Sequence, residues 1–349
     1  MRPLTKDVED LVPAQEYPRP DEEVFAQKLI TLLKRQLAET YPTGTTTLRG
    51  AQPKHHGCVK AEFMVEPDLP PALRVGIFKQ ARTYPAWIRF ANQNRKVQPD
   101  IKRDIRGMSI KLLEVEGEKL LADEKNAQTQ DFIMISHNVF PAKNVAEFYG
   151  LLEAFDAGAL ALIWFFFNPF NLHLRVLKNL MGALKKYANP LEIRYWSTTP
   201  YLFGSKVIKF SAKPCLSQTS QIPQNPSDNY LREAMVAQLA HQEVCFDFMI
   251  QFQTDPEQMP LEDPGQPWDE TLSPFQKVAT IRIPAQKFDS AAQMEFCENL
   301  SFTPWHSLPE HRPLGGVNWA RLEVYQTLSE FRHQRNNTPR REPTGQENF

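Results

Sequence analysis

Apolar and polar positions along the chain fall into two textures. After Asp21, which can cap a helix, Phe25, Leu29, Leu32, Leu33 and Leu37 recur at helical spacing. From Cys58 to about Phe132 the pattern shortens into CVKAEFMV, AWIRFAN, GMSIKLL and DFIMI, each of strand length and bounded by Pro, Gly or charge clusters. Residues 146–186 read as helix, IRYWSTTPYLFGSKVIKFSA returns to strand-like alternation, and Ser227 opens a helix through about Gln242. In VCFDFMIQF, Val244, Phe246, Phe248, Ile250 and Phe252 alternate strictly with their neighbours, the period of a half-buried strand, and ATIRIP supplies another. Gly315 and Gly316 precede Asn318, a competent N-cap for the helix WARLEVYQTLSEFRHQ.

Strands interspersed with helices of irregular length predict an α+β fold with antiparallel sheet rather than a βαβ series. Residues 1–20 read as an N-terminal leader, 20–335 as a single domain, and 336–349, NNTPRREPTGQENF, as a disordered tail. The run ALALIWFFF at 159–167 is the most apolar, but nine residues fall well short of the roughly 20 that span a membrane. A buried helix is the first reading, and a membrane-touching or lipid-channel segment is the second.

Charge and cysteine content narrow the classes. With 40 Lys and Arg against 41 Asp and Glu, net charge gives no reason to expect a nucleic-acid partner. The opening MRPLTKDVEDLVPAQ lacks the apolar core of a secretory signal, so a cytoplasmic location is expected, with membrane association kept open. Cys58, Cys215, Cys245 and Cys297 are widely spaced with no CxxC pair, which argues against structural zinc and predicts free core thiols.

The chain has no GxGxxG, GxxxxGK[ST], HExxH or GxSxG motif. What remains is a set of arginines in otherwise apolar segments: Arg49, Arg89, Arg103, Arg106, Arg321 and Arg332. A buried arginine needs an anionic partner, because an unpaired buried charge is very costly. On the last helix Arg321, Tyr325 and Arg332 lie four and then seven positions apart, so they share one stripe. A phenol between two guanidinium groups favours the phenolate, a hard ligand for ferric iron.

These residues resemble the catalase superfamily, in particular its short catalase-related haem proteins. Arg321 to Tyr325 is similar to the proximal RxxxY motif, which would make Tyr325 the axial iron ligand held by Arg321, with Arg332 on a haem propionate. WIRFAN at 87–92 resembles the VRFS strand and implicates Arg89 with a propionate. RDIRGMSIKL at 103–112 resembles RDPRGFAVKF, and DFIMISHNVFP at 131–141 resembles the segment that carries distal aromatics, which implies Phe132 and Phe140 over the haem. The resemblance covers roughly 45–140 and 300–335. It implies a catalase-like antiparallel β-barrel core with flanking helices, a C-terminal proximal haem helix, and haem b as cofactor.

The distal side departs from that pattern. In RxxHxK the histidine's place falls on Gln52, three residues after Arg49, which the resemblance makes a further propionate partner. If the segment is extended, Gln52, Lys54 and His56 share one face and His55 points to the other; His56 remains an alternative base. An ungapped count for the distal asparagine reaches Ala127, with Asn126 next to it. Heterolysis of H2O2 needs a proton shuttle, and a carboxamide cannot supply one. Three readings follow: an enzyme for organic, chiefly fatty-acid, hydroperoxides of the allene oxide synthase and hydroperoxide lyase kind; a catalase or peroxidase using H2O2 slowly; and a non-enzymatic haem-binding protein. The expected partner is a small-molecule hydroperoxide, with a homodimer and a peripheral membrane contact kept open.

Overall fold

The period-two segments of the sequence become a closed antiparallel barrel. The computed structural model describes residues 16–217 and 219–349, so most of the expected leader lies outside the described residues. Its strands are β1 (His55–Val65), β2 (Thr83–Asn92), β3 (Arg106–Leu113), β4 (Thr129–Ile135), β5 (Tyr195–Trp196), β6 (Tyr201–Phe203), β7 (Lys206–Pro214), β8 (Val244–Phe252) and β9 (Gln276–Ile283). Eight of them form a ring in the order β1, β2, β3, β4, β5, β7, β8, β9, and β6 is an extra hairpin strand on β7. Closure runs through β5, which gives Trp196 to Ile135 of β4, and Tyr195 and Trp196 to Ala212 and Ser211 of β7.

Alternation decides what fills the ring. Val59, Ala61, Phe63 and Val65 of β1 point inward, as do Phe246, Phe248 and Ile250 of β8, and Val244 and Phe252 pack at the edge of the same cluster. Phe63, Phe132, Phe210 and Phe248 make mutual ring contacts of 4.9–6.1 Å at its centre. Outward-facing Cys58 meets Cys297 of α6 (Ala291–Asn299) in a disulfide with Cα atoms 5.3 Å apart. Cys215 and Cys245, where β7 and β8 pair, form a second at 5.5 Å. The expectation of free thiols is therefore corrected: sequence spacing carries no sign of strand pairing or helix docking that unites distant cysteines.

The helices are α1 (Glu22–Thr40), α2 (Val145–Ala157), α3 (Ala159–Phe167), α4 (Leu174–Ala183), α5 (Tyr230–Leu239), α6 and α7 (Gly316–Arg335). The apolar stripe of α1 packs against α7 and α2, burying Ala26, Leu29, Ile30, Val317, Ala320 and Val324 together. Asp21 stands at the N-cap position of α1 but pairs with Arg19 at 3.1 Å instead of capping. Helix α7 starts before the expected Asn318 cap, because Gly315 at φ 82° takes the N-cap place. The 336–349 segment is not a loose tail. Glu342 reaches Lys111, which is buried beside Asp131, at 2.7 Å to each carboxylate.

Candidate functional site

Helix α7 positions the first half of the site. Asn318, in its first turn, donates from Nδ2 to the carbonyls of Pro200 and Leu314, both at 2.9 Å, and its Oδ1 accepts from Arg321 Nη1 at 3.0 Å. Thr199 Oγ1 accepts from the same nitrogen at 3.2 Å. So fixed, Arg321 donates from Nη2 to the Tyr325 hydroxyl at 3.1 Å, one helical turn away. Burial opposes the guanidinium's charge, but the fields of Tyr325 and Tyr201 outweigh it and hold its pKa above the usual value. Burial pushes the Tyr201 hydroxyl up, and that buried oxygen has no well-formed hydrogen-bond partner. Tyr325 and Phe140 are half-buried in the cluster formed by α1, α2 and α7, where Phe140 meets Phe148 at 4.7 Å.

Two turns further along α7, about 10 Å on at 1.5 Å per residue, Arg332 enters the second half. Its Nη1 donates to the Glu298 carbonyl at 2.8 Å and lies 3.4 Å from Oε1 of the same residue. Arg89, on β2, brings Nη2 within 3.9 Å of Glu298 Oε2. Arg49 donates to the backbone carbonyls of Glu298, at 3.2 Å, and Leu300. Three guanidinium groups thus gather at the C-terminal end of α6 around a single carboxylate, an excess of 3 − 1 = 2 positive charges. Burial pushes all three guanidinium groups down against the pull of Glu298, Arg332 to about 10. Arg49 Nη1, Arg89 Nε and Glu298 Oε2 are buried without a hydrogen-bond partner. Donors left unmade in a cationic cluster suit an added anion.

Gln52 belongs to the second half through Arg89. Its backbone carbonyl accepts from Arg89 Nη2 at 2.7 Å, and its Nε2 donates to Gln93 Oε1 at 2.8 Å. The side chain lies against Gly107 of β3, where an added Cβ would come within 2.3 Å of Gln52 Nε2. With φ at 60°, Gln52 breaks the extended run assumed from sequence. It therefore parts from Lys54 and His56, which face Asp100: Lys54 Nζ meets that carboxylate at 2.8 Å, and His56 Nε2 bonds Asn92 Oδ1 at 2.8 Å. Burial pushes the His56 imidazole down to about 4. His55 instead turns to the arginines, 3.8 Å from Glu298 Oε2, and burial together with Arg89 and Arg49 lowers it to about 2.

Arg49, Gln52, Arg89 and Arg332 are thus brought together, Arg321 and Tyr325 are bonded to each other two turns back along α7, and Phe140 lies in the cluster that holds Tyr325. Besides His56, two expected members lie elsewhere. Phe132 sits inside the barrel opposite Ile110, because the alternation of β4 turns it inward with Met134. Asn126 is exposed in the turn before β4, whereas Gln52 lies at the other end of that strand, beside Gly107, which pairs with Ile135. Sequence reasoning missed Glu298, Thr199, Gln93 and Tyr201. The arginines signalled that a carboxylate was needed, but nothing local to CENL marks Glu298 as that group.

No family model and no curated protein matches the chain. Among solved structures it is similar to a fungal catalase, with a TM-score of 0.69 at 16% identity over 88% of this chain and 64% of that one. It is also similar to catalase A from Saccharomyces cerevisiae, with a TM-score of 0.67 at 17% identity over 88% and 66% of the two chains. For a bacterial catalase the TM-score is 0.64 at 12% identity, over 93% and 63%. The matched part spans between 63% and 66% of those longer chains. The likeness is one of architecture: this chain has the catalase-like α+β fold, an eight-stranded antiparallel barrel flanked by seven helices among the described residues.

Proposed function

We propose that this chain is a haem-dependent enzyme acting on hydroperoxides, with organic and fatty-acid hydroperoxides as its main substrates. The observation that carries the reading is the surplus of buried guanidinium charge from Arg49, Arg89 and Arg332, two helical turns from a phenol bonded by Arg321. Arg49, Arg89 and Arg332 would hold the two carboxylates of haem b, and Tyr325 its iron. Bound haem would supply a ferric centre able to cleave an O–O bond.

The residues of the chain shape what that centre can do. Arg321, anchored by Thr199 and Asn318, donates to the Tyr325 oxygen and so fixes where that oxygen points. Gln52 can orient a polar oxygen by hydrogen bonding but neither takes up nor returns a proton. His56 is tied to Asn92 on the Asp100 side and does not serve as a base beside Gln52. A site with no proton shuttle at that position suits an alkyl hydroperoxide, whose homolysis does not require one, better than H2O2. Phe140 and Phe148 offer an apolar wall for its chain. One observation favours slow use of H2O2: His55, neutral near the arginines, has a buried Nδ1 without a partner.

Absorption spectra during haem titration test the cofactor assignment. Tyr325→Phe should lose the ferric tyrosinate spectrum and most of the bound haem, and retention of both would reject the axial role. H2O2 and a linoleate hydroperoxide, offered in parallel, separate the readings: loss of the lipid hydroperoxide is expected, and rapid oxygen release from H2O2 alone would overturn it. Binding without turnover of either would leave a haem-binding protein. Gln52→His should raise H2O2 turnover, on the order of the hundredfold a placed acid–base group contributes. The backbone tolerates the change, since histidine is among the residues enriched at positive φ. No rise would show that position 52 does not face the reacting oxygen.

A further inference from the structure

We propose that the hairpin formed by α3 and α4 is a docking element that seats this protein on an anionic lipid bilayer. On α3, Leu160, Ile163, Trp164 and Phe167 follow the i, i+3, i+4, i+7 spacing of one stripe, and all four are exposed. Leu160 is 83% and Trp164 61% exposed, while the connection to α4 carries Phe170 at 93%. On α4, Leu174, Lys178 and Met181 form a second exposed stripe, with Met181 68% exposed, and exposed Lys185 follows two residues past its end. The opposite face of the hairpin is accounted for, because Phe166 and Val176 are buried against Leu151 of α2. The outer stripes face solvent in a way a folded domain does not leave without use.

Charge identifies the occupant. No Asp or Glu occurs from residue 157 to residue 191, while Arg175, Lys178, Lys185 and Lys186 fall within that stretch. Asp263 holds Arg175 at 2.7 Å, whereas the three lysines carry no ion pair among the described residues. A second copy of this chain would bring those lysines against their own kind, while a bilayer with anionic headgroups neutralises them. Tryptophan and phenylalanine on one face with lysine at its margin is the composition of a helix lying in the membrane interface. Among the described residues no helix is long and apolar enough to cross a membrane, so the hairpin lies along the surface. Phe148 belongs both to the cluster beneath the hairpin and to the one that holds Tyr325, so apolar packing is continuous from the inner face of the hairpin to the candidate site. The docking surface stands on its own observations and not on the haem reading.

Vesicle flotation of the full chain tests it. Binding is expected to vesicles of equal parts phosphatidylglycerol and phosphatidylcholine, weaker binding to phosphatidylcholine alone, and weakening with added salt. Trp164→Asp/Phe170→Asp alters two exposed side chains and should leave the circular dichroism and thermal midpoint unchanged, yet lower vesicle partition by roughly tenfold or more. Lys178→Glu/Lys185→Glu should abolish the preference for phosphatidylglycerol. Brominated lipid should quench the Trp164 share of the fluorescence, read as the difference from Trp164→Phe. Failure of the folded protein to float with anionic vesicles would overturn the proposal, as would equal flotation of the aspartate variant. Self-association that the aspartate variant abolishes, without vesicle binding, would assign the face to a second copy and also overturn it. None of these readouts requires haem or turnover.

Discussion

Glu298 faces Arg49, Arg89, Arg332 and His55, and its removal leaves buried cations without a carboxylate. Breaking such a group by deleting one partner costs about 3–5 kcal/mol, so Glu298→Gln should lower the stability of the haem-free chain by that order in urea denaturation. Bound haem would bring its own carboxylates to the arginines and should reduce the loss. An unchanged midpoint without haem would show that the α6 carbonyls alone hold the arginines. At this scale the common stripe of Arg321, Tyr325 and Arg332 was legible in the sequence, because all three lie on one helix whose periodicity fixes it. Gln52, Asn126 and Phe132 were harder. Gln52 takes a backbone conformation that no extended-strand count anticipates, Asn126 sits in a turn, and Phe132 follows the inward alternation of its own strand.

Among the elements, α6 shows most clearly what pattern reading misses. Its buried residues include Gln293 and Cys297, so its inner face is not an apolar stripe; the Ser290 side chain caps it, and Gln293 bonds the Cys58 carbonyl at 2.9 Å. The Cys58–Cys297 link fixes this short helix to β1, with Glu298 the next residue along. Cys297→Ser should therefore cost about 2–4 kcal/mol in chemical denaturation, and reductant, which also opens Cys215–Cys245, should lower the parent protein at least as far. Equal stability of oxidised, reduced and substituted forms would remove the tether from the account. The long strands were legible because each follows period two against one core. Strands β5 and β6, of two and three residues, are too short to display any period.

For the molecule as a whole, burial of neutral imidazoles sets an acid limit. His55 is lowered to about 2, and His56 and His311 to about 4, each mainly by burial, from an ordinary 6.5. The unfolded chain takes up these protons as pH falls below 6.5 while the folded chain does not, so stability drops from there down to the folded values. Each group contributes up to about 1.4 kcal/mol per pH unit within that window. Glu342, whose carboxyl is held down at about 2 by Lys111 and His306 despite its burial, adds a further loss below its ordinary 4.5. Thermal midpoints should decline steadily from pH 7 to pH 5, and a flat profile would contradict the account. The α+β class and barrel were legible at this scale, whereas the packed tail was not, since its partner is the buried Lys111 some 230 residues earlier.

The ring of strands has a clasp. Most of its neighbouring strands are joined by seven or more residue pairs, but Tyr195 and Trp196 close it with one pair on the β4 side and two on the β7 side. A cylinder fastened this way has a parting line: its two walls can separate along β5 while each keeps its own ladder. Local opening of this barrel should thus begin at the β5 seam, with β1–β9, joined by four pairs, the next joint to part.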